Sequence, residues 1–294
     1  MTARFRCSVA ASAEPMAGSA AQDRAFLCIE HPGPWGRKAV PESRWLPEHV
    51  RDSLAARDDL RVQLVRRHGR GVLDSGFRVF LAYADPGAPW TETTRLADQE
   101  QLLELDLDAF GAGRRTGLAL HDDPLVLVCT NGRRDTCCAE LGRPLATGLA
   151  AAHPDLVWET THVGGHRFAG AMLVLPAGLS YGRVDVAAGL RIAELSRAGR
   201  LDPSHLRGRS AYPPAVQAAE VELLTRLGED RADALALVSH DADGPVTTVV
   251  FREGASTHTL EVEAVAGAPL RHSCADDLAK PTTSFRVRDR IRPW

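Results

Sequence analysis

The sequence predicts a mixed α/β protein in which helices cover a sheet, and three observations carry that prediction. Short apolar or alternating runs of strand length recur at 25–30, 60–65, 77–83, 102–107, 125–128, 156–158 and 171–175. Stretches with helical spacing of apolar residues stand between or after them, at 47–56, 138–152 and 184–197. From 125 onward the order is strand, loop, helix, strand, loop, strand, helix, which is compatible with a thioredoxin-like layer of helices on a sheet. The expected division is an N-terminal α/β unit at 1–118, a thioredoxin-like unit at 119–200, and a linker with a small C-terminal α+β region at 201–294.

With 294 residues the chain is long enough for a substantial core and for more than one domain. Its 44% hydrophobic and 25% charged residues are ordinary for a soluble globular protein. A net charge of −3 leaves no basic footprint for nucleic acid or an anionic membrane surface. No run approaches the roughly eighteen apolar residues of a membrane helix. Arg4 and Arg6 are followed by Ser, Ala, Glu and Pro instead of an apolar signal core, so the expected location is cytoplasmic. Six cysteines (Cys7, Cys28, Cys129, Cys137, Cys138 and Cys274) are too few for a disulfide scaffold in a chain this long. In a reducing compartment, clustered cysteines point instead to metal binding or catalysis.

Taken in order, residues 1–22 are rich in Ala and Ser, and Cys7 reads as a thiol near a loosely ordered end. The run at 25–30 has the length and flanks of a buried strand and makes Cys28 a core residue. Prolines and glycines at 32–36 break regular structure, and Pro47 suits the first turn of a helix with Val50, Leu54 and Ala55 on one face. The strand at 60–65 leads to a basic turn with Arg66, Arg67, His68 and Arg70, and 77–83 is a further strand. Alternating apolar and acidic residues at 102–107 predict a half-buried strand. The continuous apolar run at 125–128 belongs in a sheet covered on both faces. Residues 199–214, rich in Arg, Pro, Ser and Gly, predict a linker; a helix is expected at 215–227, strands at 234–238, 246–251 and 258–265, and a basic, aromatic tail at 286–294. No sequence repeat or low-complexity tract is visible.

The chemistry concentrates between 125 and 181. Cys129 stands at the end of the apolar strand, Cys137 and Cys138 at the start of the next helix, and His162 and His166 in a glycine-bearing loop. Two thiolates and two imidazoles form a four-donor set that fits tetrahedral zinc and equally a [2Fe-2S] cluster. Eight residues separate Cys129 from Cys138, wider than the usual two to four of a zinc finger. Gly164 and Gly165 each weaken a helix by about 1 kcal/mol, so His162-x-x-x-His166 reads as a loop. The wide loop and the glycines favour an object larger than a single ion. Cys137 and Cys138 compete for one position; the helix dipole favours Cys138 as the thiolate. Arg133, Arg134, Asp135, Arg167 and Phe168 are expected to surround the donors.

On these residues the chain resembles the sucrase/ferredoxin-like family. The motifs are Cys129-Thr-Asn-Gly-Arg-Arg-Asp-Thr-Cys-Cys138, Gly142-Arg-Pro-Leu145, Pro154-Asp-Leu-Val-Trp-Glu159, His162-Val-Gly-Gly-His-Arg-Phe-Ala169, Leu175-Pro-x-Gly and Tyr181-Gly-Arg183. Glu14-Pro-Met-Ala-Gly-Ser-Ala20 and Pro32-Gly-Pro-Trp-Gly36 match less strongly. The resemblance implies a thioredoxin-like ferredoxin fold around a [2Fe-2S] cluster held by Cys129, Cys138, His162 and His166. It also implies electron transfer or redox sensing with a partner reductase or acceptor protein. Some members end in a functional tryptophan, as this chain ends in Trp294. Asn131 stands where the family often has His, with no ligand role implied. The alternatives are a structural zinc module and a thiol oxidoreductase using Cys137 or Cys138. No glycosidase carboxylate pair stands out, so no sucrase activity is expected.

Overall fold

The computed structural model describes residues 4–69 and 76–289; Arg70 and Trp294, singled out above, lie outside them. After a short helix α1 (Cys7–Ala10), strand β1 (Ala25–Glu30) leads through helix α2 (Glu48–Ala55) to β2 (Arg61–Arg66), parallel to β1. Strands β3 (Phe77–Tyr83) and β4 (Trp90–Leu96) follow antiparallel beyond β1, then helix α3 (Leu107–Gly111) and the two-residue strand β5 (Ala119–Leu120). The pattern then recurs. Strand β6 (Leu125–Cys129), helix α4 (Thr136–Ala152) and β7 (Val157–Thr160) form a second parallel crossover. Antiparallel β8 (Met172–Leu175) and β9 (Leu179–Tyr181) and helix α5 (Val186–Arg197) complete it. The remainder is β10 (Leu206–Arg209), helix α6 (Pro214–Leu227), and β11 (Ala236–Asp243), β12 (Val246–Glu253), β13 (Ser256–Leu270) and β14 (Lys280–Asp289).

The first ten strands form one sheet in the order β10-β9-β8-β6-β7-β2-β1-β3-β4-β5, and the last four form an antiparallel sheet. From the centre outward, β7-β6-β8-β9 and β2-β1-β3-β4 have the same order: second, first, third, fourth strand of their unit. The two units meet along antiparallel β2 and β7, where Val65 faces Thr160. Val65 also pairs with Glu30 and Thr160 with Cys129, so Cys129 occupies in its unit the place Glu30 holds in the other. The protein is thus a mixed α/β fold, with the thioredoxin-like layer expected at 119–200 repeated, topologically, by the N-terminal unit. No sequence repeat betrays this, because strand order is fixed by hydrophobic patterning that many residues satisfy.

Three expectations are corrected. Residues 102–107 are not a strand: a 3-10 turn (Glu100–Glu104) and α3 lie there. The Asp106 carboxylate caps α3 by accepting the Ala109 N–H at 2.9 Å, and Leu107 and Phe110, three apart, turn inward together. The stretch 199–214 is not a free linker, since it carries edge strand β10 with Arg207 and Arg209 buried. Arg209 pairs with buried Glu220 at 3.0 Å on α6, a partner that composition cannot reveal. The described part of the expected tail, 286–289, belongs to β14, where Arg286 faces Glu263 of β13. Helix α6 joins the two sheets: its Val216, Ala219 and Leu223 share one core with Tyr181 and Leu206 of the large sheet and Phe251, Leu260 and Val262 of the small one. Each such fully buried aliphatic or aromatic side chain contributes about 1.5–3 kcal/mol.

Candidate metal centre

All five residues of β6 are buried, and Cys129 ends it, buried with them. The chain turns through 130–135, where the Asn131 side-chain oxygen accepts the Arg134 N–H at 3.3 Å and its amide donates to the Gly36 carbonyl at 3.2 Å. Asp135 then caps α4, its carboxylate accepting the Cys137 N–H at 2.9 Å. The helix therefore starts at Thr136 and carries Cys138 in its first turn. Gly142, one turn on, lies against the Cys129 carbonyl, with which a Cβ would collide. This close approach holds the helix start against the strand end, and with it Cys138 near Cys129.

Behind the loop, buried Glu159 of β7 accepts from Thr130 Oγ1 at 2.8 Å and from the Arg66 guanidinium at 2.7 Å, with His68 at 2.8 Å. Burial works against its ionisation, yet these bonds hold its pKa below the ordinary value. The histidine loop follows β7. Gly164 and Gly165 have φ of 89° and 67°, so the expected loop is present in place of a helix. The Arg207 guanidinium, fully buried, donates to the Gly164 carbonyl at 3.0 Å and to Ser19 Oγ at 3.1 Å. A Cβ on Gly165 would strike that guanidinium. Arg167 forms a two-pronged ion pair with Glu14, both bonds 2.8 Å, and Arg183 donates to the Ala11 and Glu14 carbonyls at 2.6 Å. The N-terminal segment thereby straps the histidine loop down.

Cys129, Cys138 and His162 each bring one donor atom within 4.8 Å of the others, and His166 Nδ1 lies 3.3 Å from His162 Nε2. Cys129, Cys138 and His162 thus converge at one end of β6 and β7, and His166 joins them through His162, outside the group of donors that all lie within 4.8 Å of one another. A tetrahedral ion with metal–nitrogen bonds of about 2.0–2.1 Å separates neighbouring nitrogens by about 3.3–3.4 Å, so the imidazole pair has the spacing of two ligands on one ion. His162 Nδ1 is buried and has no hydrogen-bond partner, so Nε2 is the nitrogen that takes part in the pair with His166. The sulfurs are buried while both imidazoles are half-buried, so the nitrogen side faces outward. The hydrogen bond from Cys138, with His162 nearby, holds the Cys129 thiol well below its ordinary pKa; the same contact and burial push Cys138 up. Burial, reinforced by His162, lowers His166 to about 4. Neutral imidazole and a thiolate-prone cysteine are the forms a soft metal requires. The residues present therefore suit either a [2Fe-2S] cluster or zinc.

Cys7 is corrected: it is fully buried, not at a loose end, and the buried Cys137 sulfur lies against those of Cys7 and Cys274. With Asp135 and Cys274 they form a second group whose donor atoms all lie within 4.8 Å of one another. In this group burial and the Cys7 thiol act on Cys137 in opposite directions, and the hydrogen bond from Cys7 prevails, lowering it to about 5. Sequence reading missed this group because its members lie up to 267 residues apart, and it missed the partners of Glu14, Arg183 and Arg207 for the same reason. The one legible hint was the second cysteine of the Cys137-Cys138 pair.

Comparison with known proteins gives three findings. The family model described as Sucrase/ferredoxin-like matches residues 16–208. Proteins named exopolyphosphatase 1 from Mycobacterium bovis and Mycobacterium tuberculosis are 31% identical over 208 residues, covering 65% of this chain. The chain spans 59% of the length of these curated relatives. No solved structure matches.

Proposed function

The chain belongs to the sucrase/ferredoxin-like family, and on that premise we propose that Cys129, Cys138, His162 and His166 hold a [2Fe-2S] cluster for electron transfer or redox sensing. The observation that carries the reading is the convergence of the buried Cys129 and Cys138 thiols with His162, whose Nε2 lies 3.3 Å from His166 Nδ1. Such a cluster takes up one electron, and two imidazoles in place of two thiolates make it less negative and raise its potential, to roughly −150 to +300 mV in Rieske centres.

The chain's own groups serve this role in separable ways. The loop glycines let backbone approach the site closely. Buried Arg207, near enough to Cys129 to feel its charge, supplies a fixed positive charge that favours the reduced state. The half-buried His166 would keep a second nitrogen that can hold or release a proton as the electron arrives or leaves. A partner reductase or acceptor protein would dock at this outward nitrogen side. No helix among the described residues is long and apolar enough to cross a membrane, and six unbridged cysteines accord with a cytoplasmic setting.

The exopolyphosphatase name carries little to this site. Polyphosphate is a hard anion, and its hydrolysis is served by hard divalent ions on carboxylates, whereas the donors gathered here are soft. The zinc alternative shares the donor set and is separated by iron content and colour.

The test is electron paramagnetic resonance of aerobically purified, dithionite-reduced protein beside His166→Cys. We expect a low average g value in the wild type that moves upward in the variant. A colourless protein that stays iron-free after anaerobic reconstitution contradicts the proposal.

A further inference from the structure

We propose that Cys7, Cys137, Cys274 and Asp135 form a second metal site that takes one divalent ion of the zinc class. The Sγ atoms of Cys137 and Cys274 are 3.3 Å apart, and each is 3.7 Å from that of Cys7. A tetrahedral ion with metal–sulfur bonds of about 2.3 Å spaces its sulfurs about 3.8 Å apart, so the triangle is close to one face of such a site. Asp135 Oδ1 lies 3.6 Å from Cys7 Sγ and supplies the fourth donor. Sulfurs on different irons of a cluster stand farther apart, because inorganic sulfide lies between the irons, so this spacing selects a single ion.

The surroundings are those of a built thiolate site. Ser8 Oγ donates to Cys137 Sγ at 3.2 Å and the Cys7 N–H to Cys274 Sγ at 3.5 Å. Asp135 Oδ2 accepts Ser273 Oγ–H at 2.9 Å and the Cys274 N–H at 2.8 Å, which fixes the carboxylate with Oδ1 toward the sulfurs. Arg6 lies close enough to Cys137 and Cys274 to offset part of their charge. Three sulfurs at near-equal spacing are not a poised disulfide: a bridge would join two and leave the third thiol and the carboxylate without a role. Binding displaces the protons still held on the thiols, those of Cys7 and Cys274, to solvent and changes no oxidation state.

The ion would clamp α1, the first turn of α4 and the turn between β13 and β14, joining residues 267 positions apart. Adjacent Cys137 and Cys138 then serve different centres from the first turn of α4. This inference stands whether or not the first site holds iron.

The test uses full-length protein carrying Cys129→Ser and His162→Ala, so that the first site cannot compete, titrated anaerobically with Co(II). The expected result is one tightly bound cobalt with thiolate charge-transfer absorption and the intense ligand-field bands of a tetrahedral ion, displaced by one equivalent of Zn(II). Adding Cys274→Ser should weaken cobalt binding by about a hundredfold or more. Should that variant fail to fold, a measurement on the intact site decides: Zn(II) should protect Cys7, Cys137 and Cys274 together from iodoacetamide, as mapped by peptide mass spectrometry. Absence of saturable one-equivalent binding, binding unchanged by Cys274→Ser, or a disulfide among the three in protein prepared without air would overturn the proposal.

Discussion

The two units of the large sheet share a strand order but differ in what stands at the ends of their first strands. In the N-terminal unit, β1 ends at Glu30, which accepts the Arg78 N–H at 2.9 Å. The next residue, His31, is buried with both ring nitrogens partnered: Nδ1 accepts the Gly33 N–H and Nε2 meets Ser43 Oγ, each at 2.8 Å. Trp35, Val40 and Leu46 fill the space beyond. In the second unit the equivalent strand position is Cys129, and the loop ends gather Cys138, His162 and His166, with one buried imidazole nitrogen unpartnered. One topology thus yields a corner packed with aromatic and aliphatic side chains and a corner that gathers thiols and imidazoles. Strand order fixes where a site can be; the donor chemistry gathered there marks which copy has one.

The sharpest way to break this comparison is to remove a thiol from each unit. Cys138→Ser should leave the reconstituted protein essentially without iron and acid-labile sulfide, whereas Cys28→Ser, in the packed β1, should keep both. Equal loss in the two variants would erase the distinction. Next in size is a glycine pair. Gly165 and Gly69 both have positive φ, but only at Gly165 would a Cβ strike a neighbour, Arg207. Gly165→Ala should cost about 3 kcal/mol in denaturant unfolding and Gly69→Ala about 1 kcal/mol, the bare left-handed penalty.

Two pH measurements sharpen the contrast further. In iron-loaded protein the reduction potential should fall as pH rises between about 6 and 9, because a cluster-bound imidazole would hold its remaining N–H proton more tightly in the reduced state; a flat profile contradicts proton coupling. The smallest effect concerns His31. Burial holds its pKa at about 4, below the ordinary 6.5. The unfolded chain therefore binds the proton first, so the stability due to neutral His31 is full above about pH 6.5 and is lost as pH falls toward 4. In metal-free protein His31→Gln should flatten this part of the stability profile, read from denaturant midpoints; an unchanged slope would show that His31 does not titrate as its surroundings dictate.

Much of this was legible in the sequence where chemistry and local pattern coincide. The run ending at Cys129, the helix beginning near Cys138 and the glycines between His162 and His166 each carry their meaning within a few residues. The corrections arise where meaning depends on distant partners. Leu102 to Leu107 alternates like a strand, but the Asp106 cap and the Leu107–Phe110 pair turn it helical. Arg207 and Arg209 look like linker charges until Ser19, Gly164 and Glu220 supply their partners. Cys7 and Cys274 look incidental until folding brings them to Cys137.

The most direct test of the central claim is the iron-57 Mössbauer spectrum of the oxidised, reconstituted protein. Two imidazoles on one iron and two thiolates on the other should give two quadrupole doublets of equal area with distinct isomer shifts, the larger from the nitrogen-ligated iron. A single ferric doublet, or protein that takes up zinc but no iron, would contradict the account.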